Sequence, residues 1–66
     1  MRLRRDLRES AGLKQGDVCQ KLNVTQGLIS QWETGKGFPR VEFLYTLADL
    51  YNCTIDELFD RNPRVS

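Results

Sequence analysis

Histidine is absent from this chain, and cysteine and proline occur only twice each. Without an imidazole there is no Ser-His or Cys-His pair to activate a nucleophile. Two cysteines alone fall short of the four ligands a structural zinc site usually takes. Cys19 and Cys53 each sit inside an apolar pattern, so they read as reduced thiols packing like small hydrophobes. Of the carboxylates, Asp56 and Glu57 fit best as first-turn acids of a short C-terminal helix. No catalytic set, metal site or cofactor site is therefore expected, and the chain does not read as an enzyme. Long apolar runs are also missing: nothing approaches the ~20 residues of a membrane-crossing helix. The basic start, Met1-Arg2-Leu3-Arg4-Arg5, leads into no apolar signal core. The expectation is a cytoplasmic protein with no membrane partner.

Net charge of one sign is scarce too, at +1 over 66 residues. Its distribution is uneven. Residues 1–40 carry eight basic and four acidic side chains, whereas residues 41–66 carry two basic and five acidic ones. That asymmetry fits a basic face turned toward phosphate and an acidic end turned away from it, although an ordinary mixed surface would look similar. A hydrophobic content of 39% is enough for one small core and argues against wholesale disorder.

Apolar spacing organises the chain into five short helices. Leu3, Leu7 and Ala11 recur every four residues and predict a first helix over Leu3–Ser10, stopped by Gly12. Val18, Cys19 and Leu22 share one side of a second helix, Gln15–Leu22. Asn23-Val24-Thr25 forms a tight turn, since asparagine tolerates the left-handed conformation and threonine is a good N-cap. A third helix, Gln26–Glu33, faces Ile29 and Trp32 inward and stops at Gly35. Two glycines and a proline make Thr34–Pro39 a loop. Val41, Leu44, Leu47, Ala48 and Tyr51 predict a fourth helix to about Leu50, ended by Asn52. Thr54 and Glu57 form a capping-box pair that opens a fifth helix carrying Ile55, Leu58 and Phe59. No strand alternation is visible. Residues 1–62 read as one domain that ends at Asn62-Pro63, and residues 63–66 as a frayed tail.

The outer face of the third helix carries Gln26, Gly27, Ser30 and Gln31. Small and amide side chains there suit the reading of DNA base edges. A glutamine offers one donor and one acceptor, matching N7 and N6 of adenine. Two glutamines on a helix face are more often simply solvated, and the helix-turn-helix context is what favours the first meaning. Gly27 would let the backbone approach DNA closely, or would merely weaken the helix by up to ~1 kcal/mol relative to alanine.

These residues together resemble the Cro/C1-type, lambda-repressor-like helix-turn-helix domains of bacterial and phage repressors. The resemblance rests on Leu7-Arg8-Glu9, Gly12-Leu13, Gln15, Val18 and Leu22, then Val24-Thr25-Gln26, Ile29–Glu33, Gly35-Lys36 and Pro39. It closes with Leu44, Leu47-Ala48 and Thr54–Phe59, and so covers nearly the whole chain. It implies an all-α, compact five-helix fold with the helix-turn-helix in helices 2 and 3. It further implies that the third helix enters the major groove, with Gln26, Gly27 and Gln31 facing base edges. Gln15, Thr25, Lys36, Phe38 and Arg40 would lie along the sugar-phosphate backbone. An arginine of the first helix, Arg8, would bond Glu33 and hold the third helix in place. Lys14 and Arg40 depart from the family pattern by standing where capping side chains are usual, and Gly27 has no side chain to read with.

The expected function is a sequence-specific double-stranded DNA-binding transcription regulator, a repressor, with no small-molecule ligand. One helix reads too few base pairs for specificity in a genome, so a homodimer on a pseudo-palindromic operator is expected. The alternative is a protein-interaction module on the same fold, such as an antitoxin component. Apolar residues of the last two helices, among Phe43, Tyr45, Leu50, Tyr51 and Phe59, would serve either role.

Overall fold

In the computed structural model, which describes residues 1–60, the chain enters as a two-residue strand, β1 (Arg2–Leu3). Four helices follow: α1 (Arg5–Ser10), α2 (Gln15–Leu22), α3 (Gln26–Thr34) and α4 (Val41–Tyr51). A single 3-10 turn, Asp56–Leu58, leads into β2 (Phe59–Asp60). The expected stop at Asn62-Pro63 and the frayed tail 63–66 lie outside the described residues.

All four helices end alike. The chain turns left-handed at Gly12, Asn23, Gly35 and Asn52, with φ of 76°, 59°, 83° and 53°. After each, a backbone N–H reaches back to the carbonyl five residues earlier. The bonds are Leu13 to Arg8, Val24 to Cys19, Lys36 to Gln31, and Cys53 to Ala48, at 2.9–3.1 Å. This pairing satisfies carbonyls that the helix end leaves free. The stops expected from glycine and asparagine therefore stand where the sequence puts them.

Two expectations are corrected. The fold is mostly helical, but four helices are present among the described residues, not five. Thr54 and Glu57 do exchange capping bonds, Thr54 N–H to Glu57 Oε1 at 2.9 Å and Glu57 N–H to Thr54 Oγ1 at 3.3 Å. Helix growth nevertheless stops after one turn, because the Leu58 carbonyl accepts the Arg4 N–H at 2.8 Å. Phe59 then goes extended (φ −118°, ψ 142°) and pairs antiparallel with Leu3. The second correction follows from the first. The period-four spacing of Leu3 with Leu7 and Ala11 does not mean helix: Leu3 is a strand residue, α1 begins at Arg5, and Ala11 is exposed. A strand pair therefore exists where no alternation was visible.

The apolar core draws on β1, α2, α3, α4 and the 3-10 turn. It comprises Leu3, Val18, Leu22, Ile29, Trp32, Leu47, Tyr51 and Leu58. Ile29 and Trp32 fix one side of α3 inside it, and Val18 and Leu22 do the same for α2. Arg8 is buried with them and is the one charged member.

Candidate nucleic-acid interface

The turn between α2 and α3 is fixed by local chemistry. Asn23 takes the left-handed conformation, and the Thr25 hydroxyl accepts the Leu28 N–H at 3.2 Å, capping α3. With Ile29 and Trp32 committed to the core, the 3.6-residue period turns Gln26, Gly27 and Gln31 outward, and all three are exposed. Ser30 is only half-buried, not fully outward as its place in the pattern suggests. Gln31 leans over the Gly37 backbone, its Oε1 3.6 Å from where a β-carbon on Gly37 would sit.

A chain of polar bonds fixes the position of α3. Arg8 Nε and Nη2 donate to the two oxygens of Glu33 at 2.7 and 3.3 Å, and Nη1 donates to the Leu13 carbonyl at 3.0 Å. This fork joins α1 to the last turn of α3. Its bond to Glu33 is the main cause that holds the guanidinium pKa above its ordinary value. Gln15 Nε2 donates to Glu33 Oε1 at 2.9 Å, which joins the first residue of α2 to the same carboxylate. Only the amide nitrogen of a glutamine can face a carboxylate, so the Gln15 carbonyl points away. That carbonyl accepts a long 3.5 Å bond from Gln26 Nε2. The family resemblance implies the pairing of Arg8 with Glu33 but gives no sign that Gln15 and Gln26 belong to the same chain of bonds. Gln15 thus already spends one amide donor inside the protein. The backbone N–H groups of the first turn of α2 remain free of helix partners.

Lys14 precedes that turn. Its own N–H is received by Asp17 Oδ2 at 2.8 Å, while its side chain, a pure donor, supplies no cap. Arg40 stands at the head of α4 in the same way, without a side-chain cap bond. Among the described residues, Lys14, Lys36 and Arg40 have no carboxylate within 4.0 Å, whereas Arg4, Arg5 and Arg8 each do.

The helix-turn-helix family model matches residues 5–58. The chain belongs to the Cro/C1-type helix-turn-helix family. It is also 40% identical over 52 residues to a protein of Enterococcus faecalis named as the HTH-type transcriptional activator BcrR. The match covers 79% of this chain and 26% of that protein, so the chain spans about a quarter of its relative's length. Membership makes residues 5–58 a helix-turn-helix domain.

Elsewhere on this Cro/C1-type domain, the apolar candidates of the last two helices divide between core and surface. Tyr51 is a core residue, Phe43 packs on Trp32 with ring centroids 5.7 Å apart, and Leu50 is half-buried. Phe59 stacks on Phe38 at 4.7 Å. Of the expected candidates Tyr45 (62%) is exposed, and Val41 (65%), one turn before it on α4, Phe38 (56%) and Met1 are exposed with it. The Tyr51 hydroxyl is buried and has no hydrogen-bond partner among the described residues. Burial pushes its phenol well above the ordinary range, and the Glu33 charge adds to the shift. Cys19 and Cys53 are free, half-buried thiols. No helix among the described residues is long and apolar enough to cross a membrane.

Proposed function

We propose that this domain is the sequence-reading part of a transcription regulator, with α3 in the major groove of duplex DNA. One observation carries the proposal. α3 is locked from behind by Ile29, Trp32 and the Arg8–Glu33 fork, and it presents exposed Gln26, Gly27 and Gln31 in front. Such a rigid face of amide and small side chains suits base edges, with Ser30 beside it at the rim. Gln15, Thr25, Lys36, Phe38 and Arg40 flank this face as the backbone contacts. The basic members displace counterions from the phosphates, and the polar ones set register.

The working form we propose is a two-fold homodimer on a pseudo-palindromic operator, with reading helices about one DNA turn (roughly 34 Å) apart. Val41 and Tyr45 are the candidate self-association face, because they are the large apolar residues that α4 leaves in solvent. Repression follows where the operator overlaps a promoter. The relative named as an activator makes activation from an upstream site the competing outcome.

Selection of bound sequences from a random duplex pool tests the reading directly. A two-fold-related pair of half-sites is expected, with an affinity that falls steeply as salt rises. Recovery of no preferred sequence, or binding that is flat across salt, removes α3 from the reading role. Placing the selected site over and upstream of a reporter promoter then gives the sign of regulation.

A further inference from the structure

Beside α3 lies an open groove of about 530 Å³, walled by α1, the N-terminal strand, Gln15, Ser30 and Thr34. Four carboxylates border it, and each is matched by an arginine among the described residues. Asp6 takes Arg4 at 2.8 Å, Glu33 takes Arg8 at 2.7 Å, Glu9 takes Arg5 at 3.7 Å, and Asp60 takes Arg4 at 3.8 Å. Arg2 also lines the groove, yet has no carboxylate within 4.0 Å among those residues. Even its cross-strand neighbour Asp60 is turned to Arg4. Arg2 is therefore the one arginine here without an ion-pair partner among the described residues, its guanidinium left open to an outside anion.

Its stem is held in place. β1 is tied to β2 through Leu3–Phe59 pairing and packs against α3. At the C-terminal stop of α3, a β-carbon on Gly35 would sit only 2.9 Å from Arg2 Cγ, so glycine there leaves the channel through which Arg2 passes. Gly35 is thus required twice, for its left-handed φ and for this approach.

We propose that Arg2 binds a DNA phosphate along the groove it shares with Gln15, beside α3. This rests on the reading that α3 enters the major groove. The partner is a phosphodiester because the unmatched group is a guanidinium, which pairs with phosphate oxygens in a fork, and because its groove also holds Gln15, a proposed backbone contact, and Ser30, at the rim of the reading face. The N-terminal strand, which sequence spacing reads as helix, then has a role in binding: it holds a cation where a helix beginning at Leu3 would not.

The test compares wild type, Arg2→Gln and Arg2→Lys on a labelled mixed-sequence duplex two DNA turns long, across a salt series well below the melting temperature. Arg2→Gln keeps the stem that lies on Gly35 and removes the charge. Its log–log salt slope is expected to fall by about 0.9, the value of one phosphate contact, with equal loss on specific and random duplexes. Arg2→Lys is expected to restore the slope. An unchanged slope in Arg2→Gln, with wild type binding normally, overturns the assignment of Arg2 alone. A loss confined to one sequence overturns it too. Wild-type protein that binds no duplex at all defeats the proposed function, and this inference with it.

Discussion

Replacing Arg8 by alanine tests whether the pair behind α3 holds the fold together. The wild-type arginine makes three charge-assisted bonds, two to Glu33 and one to the Leu13 carbonyl. Its side chain is 9% exposed and that of Glu33 4%. Removing the arginine leaves the Glu33 carboxyl group nearly dry, with the Gln15 amide as its remaining side-chain donor at 2.9 Å. Breaking a buried pair from one side typically costs about 3–5 kcal/mol, because the abandoned charge stays desolvated. A domain of this size holds roughly 3–10 kcal/mol in total, so Arg8→Ala removes a large share of it. Urea unfolding followed by Trp32 fluorescence is a direct assay, since Trp32 sits in the core. With a slope near 1 kcal/mol per molar for a small protein, the midpoint is expected to drop by about 3 M, or the variant to be unfolded outright. Arg5→Ala is the control: its partner Glu9 lies 3.7 Å away on an exposed helix face, and such a pair contributes about 0.5 kcal/mol or less. The double variant Arg8→Met, Glu33→Leu is expected to recover much of the loss, having no orphaned charge. Arg8 does not hold the fold if Arg8→Ala unfolds within about 1 kcal/mol of wild type, or if the double variant is no more stable than the single one.

Other variants separate reading from folding. Gln26→Ala and Gln31→Ala are expected to relax preference at one or two base pairs by about 1–3 kcal/mol while leaving the melting temperature nearly unchanged; selected sequences identical to wild type in both variants would contradict this. Tyr51→Phe deletes a buried hydroxyl that has no partner among the described residues, so the variant is expected to match or exceed wild type in urea, and a loss above about 1 kcal/mol would reveal a hydrogen bond there. Acid should destabilise the domain. Thr54 holds the Glu57 carboxyl below its ordinary pKa and Arg4 does the same for Asp6, so the unfolded chain binds more protons at both. Their contribution is complete above an unfolded pKa of about 4 and is lost as pH falls through the lower folded values, and a urea midpoint as high at pH ~2 as at pH ~6 would refute this. In alkali the sign reverses. The folded Tyr51 phenol titrates higher than the unfolded one, so its contribution is complete below about pH 10 and declines above it.

The features legible in the sequence are those whose causes lie within a few residues. Gly12, Asn23, Gly35 and Asn52 announce their stops because a left-handed residue and its bond to the carbonyl five positions back are both local. The α2–α3 turn and the burial of Val18, Leu22, Ile29 and Trp32 follow from period alone. Thr54 and Glu57 show the limit of local signals. Their capping bonds form as expected, but the helix they would open is cut short by the N–H of Arg4, a residue from the other end of the chain. A two-residue ladder leaves no alternation to detect, so Leu3 reads as the first rung of a helical stripe when it is half of a strand pair.

The same division governs the candidate interface. Which side of α3 faces outward is a local matter, set by the helical period against a buried Ile29 and Trp32. How the outward groups are aimed is not local. Gln15 receives its orientation from Glu33, 18 positions away, and passes it to Gln26, 11 positions away, while Glu33 is held by Arg8 at a separation of 25. Each of these links is a donor meeting an acceptor, and the direction of the series is set by its one full negative charge. A carboxylate accepts only, so it takes the nitrogen of Gln15 and forces the carbonyl outward; the carbonyl takes a nitrogen of Gln26, leaving that glutamine an oxygen and a second N–H for whatever lies in front of it. The buried charge that makes Arg8 costly to remove is therefore the same charge that orients the front of the helix, and stability and aim come from one carboxylate, Glu33.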